Sequence, residues 1–134
     1  METLCTRLKD VDGAGMYRLN CPLDELRTAS EQAGFALFEA DLTAMSGKGE
    51  FLATVAQAIY APGWFGNNWD ALTDALADLS WRPAAGYVLL LRNGGEALGL
   101  GSADHEITME IFSSTVDFWK SQGKPFWVFL TDAP

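Results

Sequence analysis

The chain has 134 residues, a formal net charge of −9 and apolar runs that stop at about five residues. That length suits one domain with a real core, and the apolar runs are too short to span a bilayer. The acidic balance argues against nucleic acid and anionic membrane as partners, because phosphate binding needs a basic surface. It favours a basic partner, or solubility alone.

Cys5 and Cys21 are the only cysteines and sit in no CxxC or Cys/His metal spacing, so two free thiols are expected. The first ten residues, "METLCTRLKD", mix charged and apolar positions without the long apolar region of a signal peptide. The expected protein is reduced and cytoplasmic.

Met1–Ala14 has no clear period and reads as a loose tail. "MYRL" (16–19) reads as a short strand. Pro22 opens a helix through "LDELRTASEQAG" that Gly34 closes. "FALFEADL" (35–42) is a mostly apolar strand, expected to be buried on both faces. "EFLATVAQAIYA" (50–61) is a helix with Phe51, Val55 and Ile59 on one stripe, broken by Pro62 and Gly63. "NNWDALTDALADLSW" (67–81) is a second helix, stopped before Pro83. "GYVLLLRN" (86–93) is the strongest strand, "GGEALGLGS" (94–102) a glycine-rich loop expected to be flexible. "ADHEITMEIFSSTVDFWKSQG" (103–123) is a long helix ended by Gly123, and "PFWVFL" (125–130) the last strand. Strands separated by helices imply right-handed crossovers and a parallel sheet, an α/β fold with no repeat or linker.

The helix at 67–81 carries Asp70, Asp74 and Asp78 and no Lys or Arg before Arg82. At about 100° per residue, Trp69, Leu72, Leu76 and Leu79 form the inward stripe. The aspartates cluster opposite, with Thr73, Ala77 and Ala71 at their flanks. Asp70 is at ease in the first turn, where the helix dipole favours an acid. Asp78 has Arg82 four residues on as a partner. Asp74 has neither, and like charges four residues apart cost roughly 0.2–0.5 kcal/mol per pair. No Lys or Arg occurs from Gly49 to Trp81. A solvated face is one explanation; a surface kept clear for a basic partner is the other. Trp64 and Phe65, on the loop before the helix, either pack inward or anchor an interface.

Other chemistries find little support. His105 lies beside Asp104 and Glu106 without a nucleophile elbow, and reads as a surface histidine. Asp70 and Asp74 lack the apolar surroundings of an acid/base pair. "NGGEALGLG" (93–101) lacks the G-K-[ST] ending of a phosphate loop. No cofactor, metal or catalytic residue is expected.

"WFGNNWDALTDAL" (64–76) resembles the signature of the barstar family, intracellular inhibitors of barnase-type ribonucleases. The pattern is an aromatic pair, Gly, a variable residue, Asn, an apolar residue, Asp-Ala-Leu and a second Asp four positions after the first. The order of elements from Phe35 to Leu130 matches as well. The resemblance implies a small parallel sheet packed with helices: three core strands at 35–131, with a fourth supplied by an N-terminal extension at 1–34, all in a single domain. It implies a monomeric, non-enzymatic immunity protein that plugs a basic ribonuclease or toxin with carboxylates standing in for substrate phosphates. A barstar-fold adaptor for another basic protein is the alternative. On that pattern Asp70 and Asp74 match the inhibitory aspartates, with Asp74 the deeper. Gly66 and Asn68 match the turn and helix start, and Trp64 and Phe65 the aromatic pair. The partner-binding set so implied is Asp70, Asp74, Trp64, Phe65, Gly66, Asn67, Thr73 and Asp78. Four positions depart from the family's type member. Thr73 replaces a Trp, Asp78-Leu79 replaces Gly-Trp, and the third acid, on the last helix, falls at Phe118 with Asp117 one residue off.

Overall fold

A computed structural model describes residues 3–63 and 66–132. Four parallel strands form one sheet in the order β1-β4-β3-β2. They are β1 (Met16–Arg18), β2 (Ala36–Asp41), β3 (Tyr87–Arg92) and β4 (Phe126–Thr131). The helices are α1 (Leu23–Ala33), α2 (Lys48–Ala58), α3 (Trp69–Asp78) and α4 (Ser102–Ser121). The expected α/β architecture is present, and the extension does supply the fourth strand, at the edge beside β4.

Alternation of side chains along each strand divides the core into two layers. In register, Phe38, Leu89 and Val128 line one face, where they pack with Phe51, Leu72, Leu76 and Phe112 of α2, α3 and α4. Val88, Leu90, Trp127 and Phe129 line the other face, covered by Leu26 of α1 and by Cys5 and Leu8. Full burial of one such Leu or Phe stabilises the fold by roughly 1.5–3 kcal/mol.

The second layer corrects the reading of residues 1–14 as a loose tail. Leu4–Arg7 form a 3-10 turn, and Cys5, Leu8 and Ala14 are buried. The Trp127 Nε1–H donates to the Leu8 carbonyl at 2.8 Å. Cys5 and Cys21 are joined by a disulfide, not left as free thiols. Both corrections have one cause. The sheet's second face is too apolar to face water, and α1 covers only part of it, so the chain before β1 folds back over Trp127.

β2 is half-buried on its second face, with its odd residues less covered than its even ones, because it is an edge strand. The two central strands are buried on both faces, β3 from Tyr87 through Leu91 and β4 from Phe126 through Phe129. The exposed side lets β2 carry Glu39, which accepts from Arg27 Nε at 3.1 Å and Nη2 at 2.9 Å. Asp41, at the strand's end, accepts from the Thr43 hydroxyl and N–H and from Asn93. Those bonds, the Thr43 hydroxyl first, hold its pKa down to about 2, against 3.8 in the unfolded chain. A depressed acid stabilises the fold above its unfolded pKa and loses that contribution as pH falls through its folded value. Asp41→Asn is therefore expected to flatten the acid limb of a stability–pH profile between about pH 4 and pH 2, read by urea titration at each pH.

The glycine-rich segment at 94–102 is packed, contrary to the expected flexible loop. Leu98 and Leu100 are buried, and the Gly47 N–H donates to the Gly99 carbonyl at 2.9 Å. Gly99 has φ of 73°, and a Cβ there would lie 2.8 Å from the Met45 carbonyl oxygen. His105 is half-buried, its Nε2 2.7 Å from the Glu96 carbonyl oxygen, so it ties this loop to α4. α2 begins earlier than expected, at Lys48, and ends at Ala58, because Tyr60 takes up φ of 57°.

Candidate functional site

Two asparagines build the start of α3. Asn67 has φ of 53°, a left-handed conformation Asn tolerates. Asn68 is extended, and its Oδ1 accepts from the Ala71 N–H at 2.8 Å. Its Nδ2 donates to the Gly66 carbonyl at 3.2 Å. A Cβ on Gly66 would come within 3.0 Å of that same nitrogen, so Gly66 leaves room for the cap. The helix consequently starts at Trp69 and not at Asn67. Asn68→Ala is expected to cost about 1 kcal/mol and to fray the first turn, which urea unfolding and amide exchange at Ala71 would report. At the other end Leu79 turns left-handed, with φ of 49°, and stops the helix at Asp78, short of Trp81.

Leu72, Leu76 and Leu79 are buried as the spacing requires. Trp69 is only half-buried, tilted 6.4 Å from Phe51 with Lys48 Nζ 5.6 Å from its ring centre. Ala71 and Ala75 complete the buried face, so Ala71 belongs to the core and not to the acidic flank. Trp119 of α4 donates from Nε1 to the Leu76 carbonyl at 2.8 Å, fixing one helix against the other. The composition gave no reason to single out Trp119. Its signal was a lone tryptophan near the end of an amphipathic helix.

Asp70, Thr73, Asp74 and Asp78 are all exposed, on one outward face. Thr73 Oγ1 donates to the Trp69 carbonyl at 3.0 Å. Among the described residues none of the three carboxylates accepts a hydrogen bond or joins an ion pair. The expected Asp78–Arg82 pair is therefore absent. The left-handed turn at Leu79 takes Arg82 off the helical path that would have brought it alongside. Lys48, the nearest basic residue before the helix in sequence, sits on the Trp69 ring without bridging to Asp70. Trp64 and Phe65 lie outside the described residues.

On α4 the two candidates for a third acidic contact separate. Asp117 lines a groove with Gly15, Met16, Val116 and Lys120, on the β1 side of the helix. Trp119, two residues on, faces α3, so Asp117 points away from the acidic helix. Phe118 lies between them and is 39% exposed. Leu79, a departure from the family's type member, is buried and so takes no part in the outer surface. Among the described residues no group of three or more His, Cys, Asp or Glu is placed to hold a metal ion.

A family model described as Barstar (barnase inhibitor) matches residues 35–131. The chain belongs to the barstar family. No curated protein matches it. The family is one of inhibitors and not of enzymes. The barstar match begins at Phe35, so it covers β2 to β4 and α2 to α4, with acidic α3 near its centre. β1, α1 and the disulfide lie before it.

Proposed function

We propose that this barstar-family protein is a stoichiometric inhibitor of a basic barnase-type ribonuclease, acting as a monomer in the cytoplasm by occluding the active site with α3. One observation carries the reading: Asp74 is exposed, lies one turn from Asp70 and one from Asp78, and has no cation to balance it among the described residues. A cationic phosphate site would supply that balance, with Asp74 and Asp70 in the places of substrate phosphates. The mutual repulsion of the three carboxylates, small in water, then becomes attraction to one partner. The helix is capped and anchored before binding, so little ordering entropy is lost on association. Gly66, Asn67 and Thr73 flank the carboxylates, and the sequence adds Trp64 and Phe65 as the aromatic pair for apolar contact. Titration of a barnase-type ribonuclease should abolish RNA hydrolysis at one equivalent, and calorimetry should give the same stoichiometry. Continued hydrolysis at excess inhibitor would exclude the proposal.

A second reading, an adaptor for another basic protein, draws on Phe118 standing where the family's type member has an acid. Capture from host lysate by the wild type and the Asp70/Asp74 double alanine variant separates the two. A non-nuclease partner lost in the variant favours the adaptor.

A further inference from the structure

We infer that α4 presents an apolar ridge beside the acidic face of α3, and that the two together fit a basic protein with an apolar rim next to its cationic site. The inference rests on the inhibitor reading and specifies its partner.

Helical geometry places the ridge. The groove that holds Met109, Ser113, Val116, Asp117 and Lys120 defines the β1 flank of α4. At about 100° per residue, Ile107, Ile111 and Phe118 fall within roughly 40° of one another on the opposite flank. That flank lies away from β1, on the side where α4 packs against α3, to which the Trp119 indole bonds through the Leu76 carbonyl. Ile107 is 37% and Phe118 39% exposed, two of the four large apolar residues open to solvent among the described residues. Ile111 is buried at their base.

α3 answers from its own side. Phe51 and Lys48 of α2 meet Trp69 and so mark one flank of α3. The other flank, with Ala71 and Ala75, is the one against α4. Small residues there let the helices approach closely. The same wheel sets Asp74 and Asp78 nearest that flank, with Asp70 and Thr73 toward α2. A surface crossing from α3 to α4 therefore passes from unpaired carboxylate to exposed aromatic.

Phe118 is also held in place. Its ring meets Trp119 edge-on at 5.2 Å. Trp119 is fixed in turn by its bond to Leu76, by Tyr87 at 5.0 Å and by Lys124 Nζ at 5.9 Å. A pre-positioned aromatic loses little rotamer freedom when covered, which is what an interface anchor requires. The acids and the ridge divide the work: charge steers the encounter, and apolar contact slows separation.

The test is surface plasmon resonance against a purified barnase-type ribonuclease at several salt concentrations. Phe118→Ala is expected to raise the dissociation rate about tenfold, leaving the association rate and its salt dependence within about twofold. Phe118→Leu, which keeps the apolar surface, should restore most of the residence time. Ile107→Ala should add to the Phe118→Ala loss. Tyr17→Ala, equally exposed but on β1, should change nothing. Near-UV circular dichroism of Trp119 checks that each variant is folded. If the Ile107/Phe118 double alanine variant binds as the wild type while Asp74→Ala does not, the ridge is excluded and the inhibitor reading stands. If the wild type fails to bind, or Asp74→Ala binds unchanged, both fall.

Discussion

Asp74→Ala is expected to weaken binding to a basic barnase-type ribonuclease by about 2–5 kcal/mol, roughly 30-fold to several thousandfold. That range is the cost of truncating one member of a buried, hydrogen-bonded charge pair, and complexes of this family have themselves helped to define it. The variant should leave the protein's own stability unchanged or slightly raised. Asp74 has no partner among the described residues, and its removal relieves repulsion with Asp70 and Asp78. Loss of binding without loss of stability is what separates a binding residue from a structural one. Asp78→Ala should have a smaller effect, expressed mainly in association rate and salt dependence, because the last turn of α3 is farther from the capped start. Calorimetry and urea unfolding on the same samples decide the matter. Unchanged affinity for Asp74→Ala would remove the electrostatic mechanism.

The acidic helix could be read in the sequence because its determinants are local. An Asn cap, leucines at helical spacing and acids without a nearby cation are all visible within a dozen residues. So were the strands, since β3 and β4 are apolar runs bounded by Gly and Pro. What failed was long-range. Arg82 stands four residues after Asp78, but the left-handed turn at Leu79 cancels that spacing, and no local pattern announces a leucine with positive φ. The loop at 94–102 looked flexible from its glycines, yet Leu98 and Leu100 anchor it and Gly99 is there to let Met45 come close. Phe118 and Asp117 differ by one position and so by 100° of rotation. Only the tertiary placement of Trp119 against Leu76 shows which of them stands beside α3.

The N-terminal extension yields the second large effect. The disulfide closes a segment 16 residues apart in sequence, and constraint of the unfolded chain on that scale is worth about 3 kcal/mol. Cys21→Ser, or reduction by excess dithiol, is therefore expected to lower the unfolding free energy by about that amount. In the cytoplasm, where the inhibitor is proposed to act, reductants favour the dithiol, so the reduced form sets the working stability. It should still fold, because the cover over the second face does not depend on sulfur alone. Leu8 and Ala14 remain buried against Trp127 and Phe129, the Leu8 carbonyl holds the Trp127 indole, and β1 pairs with β4. Reduction should thus shift the urea midpoint and loosen Cys5–Ala14, with a change in Trp127 fluorescence and faster amide exchange there. Nuclease affinity should be unaffected, because α3 packs on the opposite face of the sheet. A reduced protein with unaltered stability would show that the segment is held by packing alone, and one that loses affinity would show that the two faces are coupled through β4.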